Sequence, residues 1–440
     1  MASTLAETRN GAESAVINLH KTFLETLNPS PDLLTFNRSA LDRFETLKFP
    51  HRKHEMFTFV STKDLTAISF SLQTENPVQP EFVKQHVYSG CERSHLTLVD
   101  GVLRPELSDA TALGTAVKIQ SLAEAAKDES VRNQLQKSIE QENDVFASIN
   151  SAFMRQGLAI RVTRDKQVEV PLQILHVSTG GNGTAMTVPR VFVYLEPLAE
   201  LKLIIKYVGT DGNYFVNAVQ DFIVEDDAAL TYTQVQADPN DAWHFSKNRI
   251  ILKRNSRFFG HQASNGTRLV RHHCEVRLTE PGGELELSGV SVLVGDEQAH
   301  NFIRIHHEAG HCTSNQRFKN IINDRGRASF DGTVIVERGA QLTNSAQLIN
   351  NLMLSDDGHA DCKPVLRIFA DDVKCTHGAT VGQLDVHQLF YLKTRGLSEA
   401  VARELLTRSF ANSIIQKIPF PPVVEELNNT LLKKLEADHG

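Results

Sequence analysis

Two side chains that can bind a metal ion lie two residues apart in the segment 371–382. Residues i and i+2 of an extended strand project from the same face, so Cys375 and His377 can reach one ion. A thiolate and an imidazole suit iron or zinc, which take about four ligands. Because the chain offers no obvious third ligand beside this pair, we predict a metal site that a second polypeptide completes. The structural alternative is a buried cysteine beside a hydrogen-bonded histidine.

The reactivity of Cys375 depends on its thiolate fraction. An ordinary free thiol has a pKa of about 8.5 and is only slightly ionised at neutral pH. A cation close to the thiol, either Lys374 or a protonated His377, would increase the thiolate fraction. Such a neighbour would make Cys375 a better acceptor of sulfur.

A second metal-binding pattern, His307-Glu308-Ala309-Gly310-His311, matches the zinc motif H-E-x-x-H. Zinc enzymes of this type need both histidines one turn apart on a helix, with the glutamate as general base. The residues before His307 alternate as in a strand and Gly310 is a poor helix residue, so this helix is not predicted. We keep a metal-dependent hydrolase or lyase as the alternative function, with His307, His311 and Cys312 as weak candidate metal ligands.

Composition argues against several other classes of protein. The 440 residues carry a net charge of −7, whereas nucleic-acid-binding proteins usually have an excess of basic residues. The five cysteines form no C-x-x-C pair, which argues against disulfide scaffolds and four-cysteine metal sites. No apolar run approaches the length of a membrane span and no targeting peptide is recognisable, so we expect a cytoplasmic protein without membrane contact. Because the chain lacks a G-x-x-x-x-G-K-[ST] motif, we expect no ATP site on it.

The elements that would position these residues change character twice along the chain. Residues 1–156 show mainly helical spacing of apolar residues, and residues 386–440 return to that spacing. Residues 157–385 are short extended runs separated by Gly, Asp and Asn, with no crossover helices, which is not typical of Rossmann or TIM folds. We therefore predict an N-terminal mainly helical domain, a β core and a C-terminal helical domain with these limits.

An internal repeat predicts how the strands of the core are arranged. Four heptapeptides, LEPLAEL, VEDDAAL, TEPGGEL and VERGAQL, begin at residues 195, 224, 279 and 336, and their separations fit a period of about 28 residues. Each combines an acidic corner with a leucine that re-enters a strand. A constant period with a recurring corner is typical of a solenoid in which each coil stacks on the last. We therefore predict a mainly β fold with a parallel β-helix core; a β-sandwich with similar turns is the alternative.

The C-terminal helices carry apolar and basic residues at helical spacing. Asp385 and Ser398 are predicted N-caps, and Gly396 is placed to end the first helix. A mixed surface of this kind is typical of a helix that docks a partner. The candidate docking residues are Phe390, Tyr391, Lys393, Arg395, Gly396, Leu397, Leu405, Leu406 and Phe410. Alternatively, the stripe packs on the chain's own β-helix, as part of it must.

Several segments resemble the SufB/SufD family of iron–sulfur cluster assembly proteins, and specifically its SufD branch. They occur in family order and include LTLVDGVLRPELSD (96–109), FASINSAFMRQGLAIRV (146–162), ADDVKCTHGATVG (370–382) and LFYLKTRGLSEAVARELLTRSFA (389–411). SufB has Glu-His-Glu-Ala-Thr where this chain has Cys375-Thr376-His377-Gly378-Ala379-Thr380, which favours SufD. We find no resemblance to the family in residues 1–45.

The resemblance implies a right-handed parallel β-helix between helical N- and C-terminal domains. It implies a non-catalytic scaffold that pairs with SufB through the β-helix ends and binds the ATPase SufC through its C-terminal helices. The family motif falls on Cys375 and His377, which implies that a nascent iron–sulfur cluster or iron is shared with the partner subunit there. The complex is also linked to a reduced flavin, whose site the sequence does not locate. The isolated chain is a candidate homodimer.

Overall fold

The N-terminal part of the chain is mainly helical. The computed structural model describes residues 2–436 apart from positions 28, 52, 73–75, 181–183 and 211. The helices are α1 (Ala2–Thr26), α2 (Pro31–Leu47), α3 (Lys63–Thr66), α4 (Pro80–His86), α5 (Leu122–Ala125), α6 (Glu129–Glu140) and α7 (Val145–Ala152). The strands are β1 (Ser71–Leu72), β2 (His95–Val99), β3 (Val102–Leu103) and β4 (Val117–Ser121). Through β2 and β4 this region also extends the two sheets of the core.

The core is a β-solenoid of about 8 turns. Its strands are β5 (Leu158–Val162), β6 (Leu172–Ser178), β7 (Ala185–Thr187), β8 (Arg190–Leu195), β9 (Glu200–Gly209), β10 (Tyr214–Val224), β11 (Ala229–Gln236), β12 (Trp243–Leu252), β13 (Arg257–Ser264), β14 (Leu269–Leu278), β15 (Glu284–Leu293), β16 (Gln298–His307), β17 (Thr313–Ile322), β18 (Arg327–Val336), β19 (Thr343–Met353), β20 (His359–Ile368) and β21 (Val373–Gly382). The predicted mainly β fold with a β-helix core is confirmed.

The strands alternate between two sheets. The first sheet has the order β20-β18-β16-β14-β12-β10-β8-β5-β4, and the second has the order β21-β19-β17-β15-β13-β11-β9-β6-β2-β3. Neighbours are parallel except for β2–β3 and β4–β5 near the N-terminal end. Each coil of the solenoid therefore adds one strand to each sheet, as expected for stacked coils.

The repeated heptapeptides lie at the turns that lead from the first sheet to the second. Glu196, Glu225 and Glu337 each follow directly after the last residue of a strand in the first sheet. The carboxylate of Glu196 accepts a hydrogen bond of 2.9 Å from the backbone N–H of Arg164, which lies in the neighbouring turn. The fourth copy differs, because Leu342 has φ 59° and is exposed, and β19 begins one residue later.

Alternate residues of each strand fill the space between the two sheets. Leu203, Ile205 and Tyr207 of β9 are examples of this buried inner row. Burial of such apolar area contributes about 25 cal/mol per Å². Polar residues interrupt the row, as at His176, which stacks on Tyr207 with ring centroids 4.7 Å apart. The interior is therefore an apolar core that contains buried polar groups.

A network of buried charges fixes the N-terminal helices on the outer face of the first sheet. Glu142, just before α7, accepts a hydrogen bond of 2.5 Å from Nζ of Lys247. Asp144 caps α7, accepts a hydrogen bond of 2.6 Å from Arg271 and lies 2.7 Å from Nδ1 of His273. All five side chains are almost completely buried. Removing one partner of such a pair leaves an uncompensated charge, which costs about 3–5 kcal/mol.

The C-terminal part of the chain forms three helices, of which the second and third pack on the outer face of the second sheet. They are α8 (Val386–Thr394), α9 (Glu399–Ile415) and α10 (Pro421–Glu436). Ile414 of α9 and Leu427 of α10 pack in one cluster with outward-facing residues of the sheet, and Lys206 of β9 lies 2.8 Å from Glu426 of α10. No helix within the described residues is long and apolar enough to cross a membrane. The strands of the core begin with β5 at Leu158, and α8 begins at Val386. These positions lie next to the predicted domain limits at residues 157 and 386, and the division into domains stays a prediction.

Candidate functional site

The last coil, formed by β20 and β21, is the end of both sheets. β20 pairs with β18 and β21 pairs with β19, and each of these two strands has its other edge unpaired in the described part of the chain. The residues of β20 and β21 are half-buried or exposed, whereas those of β18 are nearly all buried. This end of the solenoid is therefore open, and we call its inward-facing row on β21 the rim.

Cys375 and His377 lie in the rim. Cys375 is paired with Ser345 of β19, and His377 is paired with Gln347. Because β21 is the last strand of its sheet, Cys375 is half-buried against the apolar core and His377 is exposed. The pair is therefore accessible to another protein and does not lie in a sealed core. Their role as shared metal ligands stays a prediction.

The environment of Cys375 favours the neutral thiol. Partial burial raises the pKa of Cys375, and a hydrogen bond with the backbone of Ser345 acts in the opposite direction. Lys374 is exposed on the outer side of β21, away from the inner row. The lowered pKa that a nearby cation would cause is therefore not found. A bound metal ion would supply the missing positive charge.

Beneath the rim, the two preceding strands of the second sheet place polar side chains in the same inner columns. The hydroxyl groups of Ser314 and Ser345 are 2.8 Å apart, and Ser314 is 2.9 Å from Nε2 of His307. Gln316 and Gln347 form the adjacent column, and neither amide has a hydrogen-bond partner in the described structure. Sequence reasoning did not single out these serines and glutamines. Polar residues at inward positions of otherwise apolar strands are the signal that would have found them.

The H-E-x-x-H pattern lies at the end of β16 and in the following turn. His307 is the last residue of β16 and is buried, whereas His311 has φ 60° and is exposed. Glu308 accepts a hydrogen bond of 2.6 Å from Nε of Arg277. The helix that a zinc enzyme of this type requires is not formed. The weak assignment of metal binding to His307, His311 and Cys312, and the hydrolase or lyase alternative, therefore receive no support.

The described part of the chain contains no group of three or more His, Cys, Asp or Glu side chains arranged to hold a metal ion. Cys362 of β20 is half-buried and accepts a hydrogen bond of 3.2 Å from Asn351. Cys375 and His377 therefore supply only part of the four ligands that iron or zinc usually takes. This donor set fits a site that another chain completes.

The predicted docking residues differ in exposure. Phe390, Tyr391, Lys393, Arg395, Gly396 and Leu405 are exposed, and Leu397, Leu406 and Phe410 are half-buried. The ring of Phe410 lies 4.2 Å from Nζ of Lys319 in β17, so this residue packs on the solenoid. Phe390 and Tyr391 are more than half exposed and form the centre of an uncovered surface on α8. The stripe therefore contains both residues that pack on the solenoid and residues that stay exposed.

Comparison with known proteins identifies the family. Residues 176–410 match the family described as SUF system FeS cluster assembly, SufBD core domain, and residues 12–174 match the SufBD protein N-terminal region. The chain belongs to the SufBD family. The match begins at residue 12, so the family resemblance also covers residues 12–45, where the sequence alone shows none.

Relatives at 28–30% identity cover most of the chain. An iron–sulfur cluster assembly SufBD family protein of Synechocystis is 30% identical over 401 residues, 88% of each chain. The iron–sulfur cluster assembly protein SufD of Escherichia coli is 28% identical over 373 residues, which are 84% of this chain and 85% of SufD. The chloroplastic protein ABCI7 of Arabidopsis thaliana is 28% identical over 439 residues, 94% of this chain and 89% of its own. The resemblance to SufD read from the sequence is confirmed.

Proposed function

We propose that this chain is a non-catalytic scaffold subunit of the Suf complex, which pairs with SufB and docks the ATPase SufC. The observation that carries this proposal is the open last coil, which presents Cys375 and His377 beside two unpaired strand edges in the described part of the chain. An incomplete ligand set at an open edge is the arrangement expected where two subunits share one site. Family membership supports the same conclusion.

The free edge of β21 is suited to pairing with a strand of SufB. Unpaired N–H and C=O groups along an edge are ready to bind another chain. β20 contains Pro364, which lacks a donor and is tolerated at edges, whereas β21 has 10 residues and no proline. Exposed Phe369 and Val381 would add apolar contact area at the same end. The same edge would serve a homodimer when SufB is absent.

At this interface, Cys375 and His377 would bind iron or a nascent iron–sulfur cluster together with ligands from SufB. The cluster is cargo, so this chain need not turn over a substrate. The thiol of Cys375 must lose its proton when it binds as a thiolate, and the charge of the ion favours that loss. All five cysteines are free, as expected for the cytoplasmic location that we propose.

SufC would bind the uncovered surface of α8 and the first turns of α9. This surface joins the aromatic rings of Phe390 and Tyr391 to the basic residues Lys393 and Arg395. Aromatic and arginine side chains are typical centres of protein interfaces. Because this chain has no P-loop sequence, ATP would bind to SufC alone. The reduced flavin that accompanies the complex is assigned no residue of this chain.

Co-expression of the chain with SufB and SufC, followed by size-exclusion chromatography, tests the assembly. We expect the three proteins to comigrate, and failure to do so would defeat the proposal. Cys375→Ala and His377→Ala should leave the complex intact but lower its content of iron and acid-labile sulfide. Cys362→Ala is the matched control, because it removes another half-buried thiol of the last coil. Wild-type cluster yield in both rim variants would show that the pair has no ligand role.

A further inference from the structure

Gln347 lies directly beneath the rim histidine. It is the register partner of His377 in the pair β19–β21, and both residues belong to the inner row. Neighbouring strands are about 4.8 Å apart, so the two side chains are adjacent. Gln347 is only 2% exposed, and neither its amide nitrogen nor its amide oxygen has a hydrogen-bond partner in the described structure. A buried amide without partners is rare in folded proteins and needs an explanation.

The opposite sheet restricts this amide. A Cβ atom built on Gly332 of β18 would lie 3.0 Å from Nε2 of Gln347. The same Cβ atom would lie even closer to the ring of Phe330, which is on the same strand as Gly332. The side chain of Gln347 therefore reaches across the interior and abuts the first sheet. Its amide therefore lies in the layer formed by β18 and β19, directly below the last coil.

The inward-facing hydroxyl beside Gln347 on β19 is already engaged. Ser345 is the inward-facing residue below Cys375, and its hydroxyl is hydrogen-bonded to that of Ser314. Gln316 has the same unpartnered amide but lies one strand farther from the rim, beneath Gln347. Gln347 therefore offers an unpartnered acceptor at the register position next to His377, and Gln316 is a matched residue without that position.

A neutral imidazole that binds a metal through one ring nitrogen keeps an N–H on the other. That N–H usually donates to a carboxylate or carbonyl oxygen, which fixes the tautomer and the orientation of the ring. We propose that the side-chain oxygen of Gln347 accepts this N–H and so positions His377 for metal binding. The proposal rests on the ligand role of His377 and Cys375 put forward above. It gives the unpartnered amide a partner on the neighbouring strand.

Cobalt(II) binding to the chain in its complex with SufB, followed by its thiolate-to-cobalt absorption, tests the proposal at the completed site. Gln347→Leu keeps the size of the side chain and removes the acceptor, so we expect about a tenfold loss of cobalt affinity. Gln347→Glu keeps an acceptor and should bind cobalt at least as tightly as the unchanged chain. Gln316→Leu should bind as the unchanged chain does. Equal affinities for Gln347→Leu and Gln316→Leu would overturn the proposal.

Two further measurements separate positioning from stability and from the ligand role itself. Gln347→Leu removes a buried unpartnered amide, so it should unfold at the same or a higher temperature although it binds cobalt less well. Nitrogen-15 spectra of histidine-labelled chain should show a changed tautomer balance for His377 in Gln347→Leu and an unchanged one in Gln316→Leu. If Cys375→Ala and His377→Ala bound cobalt as the unchanged chain does, the ligand role would fail first. If Cys375→Ala and His377→Ala weakened cobalt binding but Gln347→Leu bound cobalt as the unchanged chain does, only the positioning role of Gln347 would be defeated.

Discussion

At the residue scale, the chemistry of the rim depends on a thiol that the chain itself keeps neutral. Burial raises the pKa of Cys375, and the inner row of β21 contains no lysine or arginine that would oppose this effect. Metal ions bind the thiolate, so the metal binding that we propose at the rim would release a proton and become tighter as pH rises. In the scaffold that we propose, Cys375 would therefore stay a neutral thiol until it binds iron.

Alkylation measures this property of Cys375 directly. Because only the thiolate reacts, a raised pKa lowers the rate at a given pH. We expect iodoacetamide to modify Cys375 in the folded chain with a midpoint above about 8.5, the pKa of an ordinary free thiol. Peptide mass spectrometry of a Cys362→Ser variant isolates the signal, and the urea-unfolded chain is the reference. A midpoint below that of the unfolded chain would mean that a cation does act on Cys375.

The sequence predicts the rim pair but not the residues that support it. Cys375 and His377 share a face because they are two positions apart on one strand, and this rule needs no tertiary information. Gln347 lies 30 positions from His377 in the sequence and becomes its neighbour only through the pairing of β19 with β21. The pKa of Cys375 likewise depends on burial against residues of other coils. Local spacing therefore reveals candidate ligands, whereas their surroundings follow from strand register.

At the element scale, the C-terminal helices contain some residues that pack on the solenoid and others that stay exposed. The side chain of Asp385 accepts a hydrogen bond of 2.8 Å from the N–H of His387, which fixes the start of α8 as predicted. α8 has no buried residue, whereas α9 buries Ala402, Ala411 and Ile415. The sequence pattern could not separate these roles, because apolar residues at helical spacing look alike whether they pack on a sheet or on a partner. Exposure in the folded chain separates them.

Substitution of an exposed residue should weaken SufC binding but not stability, whereas substitution of a residue packed on the solenoid should lower stability but not SufC binding. Tyr391→Asp changes an exposed residue, so we expect a change of less than about 0.5 kcal/mol in the free energy of unfolding. It should nevertheless weaken SufC binding at least tenfold, because a charge would enter an aromatic contact. Phe410→Ala should cost about 2 kcal/mol of stability, less than a fully buried Phe, and leave the docking surface intact. Calorimetry of binding and urea titrations provide both quantities, and unchanged SufC affinity in Tyr391→Asp would place the contact elsewhere.

The strands of the core show which features of the solenoid the sequence repeat predicts and which it does not. The recurring acidic corner predicts the period and the stacking of coils, because a corner has the same geometry in every coil. Leu342 breaks the expected pattern, since its turn adopts φ 59° and β19 starts after it. The period of a solenoid is a property of the average coil, whereas the ends of a single strand depend on local backbone conformation.

At the scale of the whole molecule, the interior contains many histidines that burial keeps neutral. Burial lowers the pKa of His176 and of His300 to about 3, and that of His261 and His307 to about 4. His176 is the clearest case, because neither ring nitrogen has a hydrogen-bond partner in the described structure. The nearby charge of His244 also lowers its pKa, and Asp238 acts in the opposite direction. These groups link the stability of the solenoid to pH.

The sign of this linkage predicts destabilisation in mild acid. Above pH 6.5, the ordinary pKa of a histidine side chain, the buried rings are neutral in both the folded and the unfolded chain. Below it, the unfolded chain binds protons that the folded chain cannot, so each such histidine removes up to about 1.4 kcal/mol per pH unit. We expect His176→Phe, which keeps a ring against Tyr207, to reduce the slope by this amount between pH 6 and pH 5. Urea titrations at both pH values measure it, with the exposed His387→Gln as control. Equal slopes in the two variants would show that His176 binds a proton in the folded solenoid, and the interior would then have to admit water at this coil.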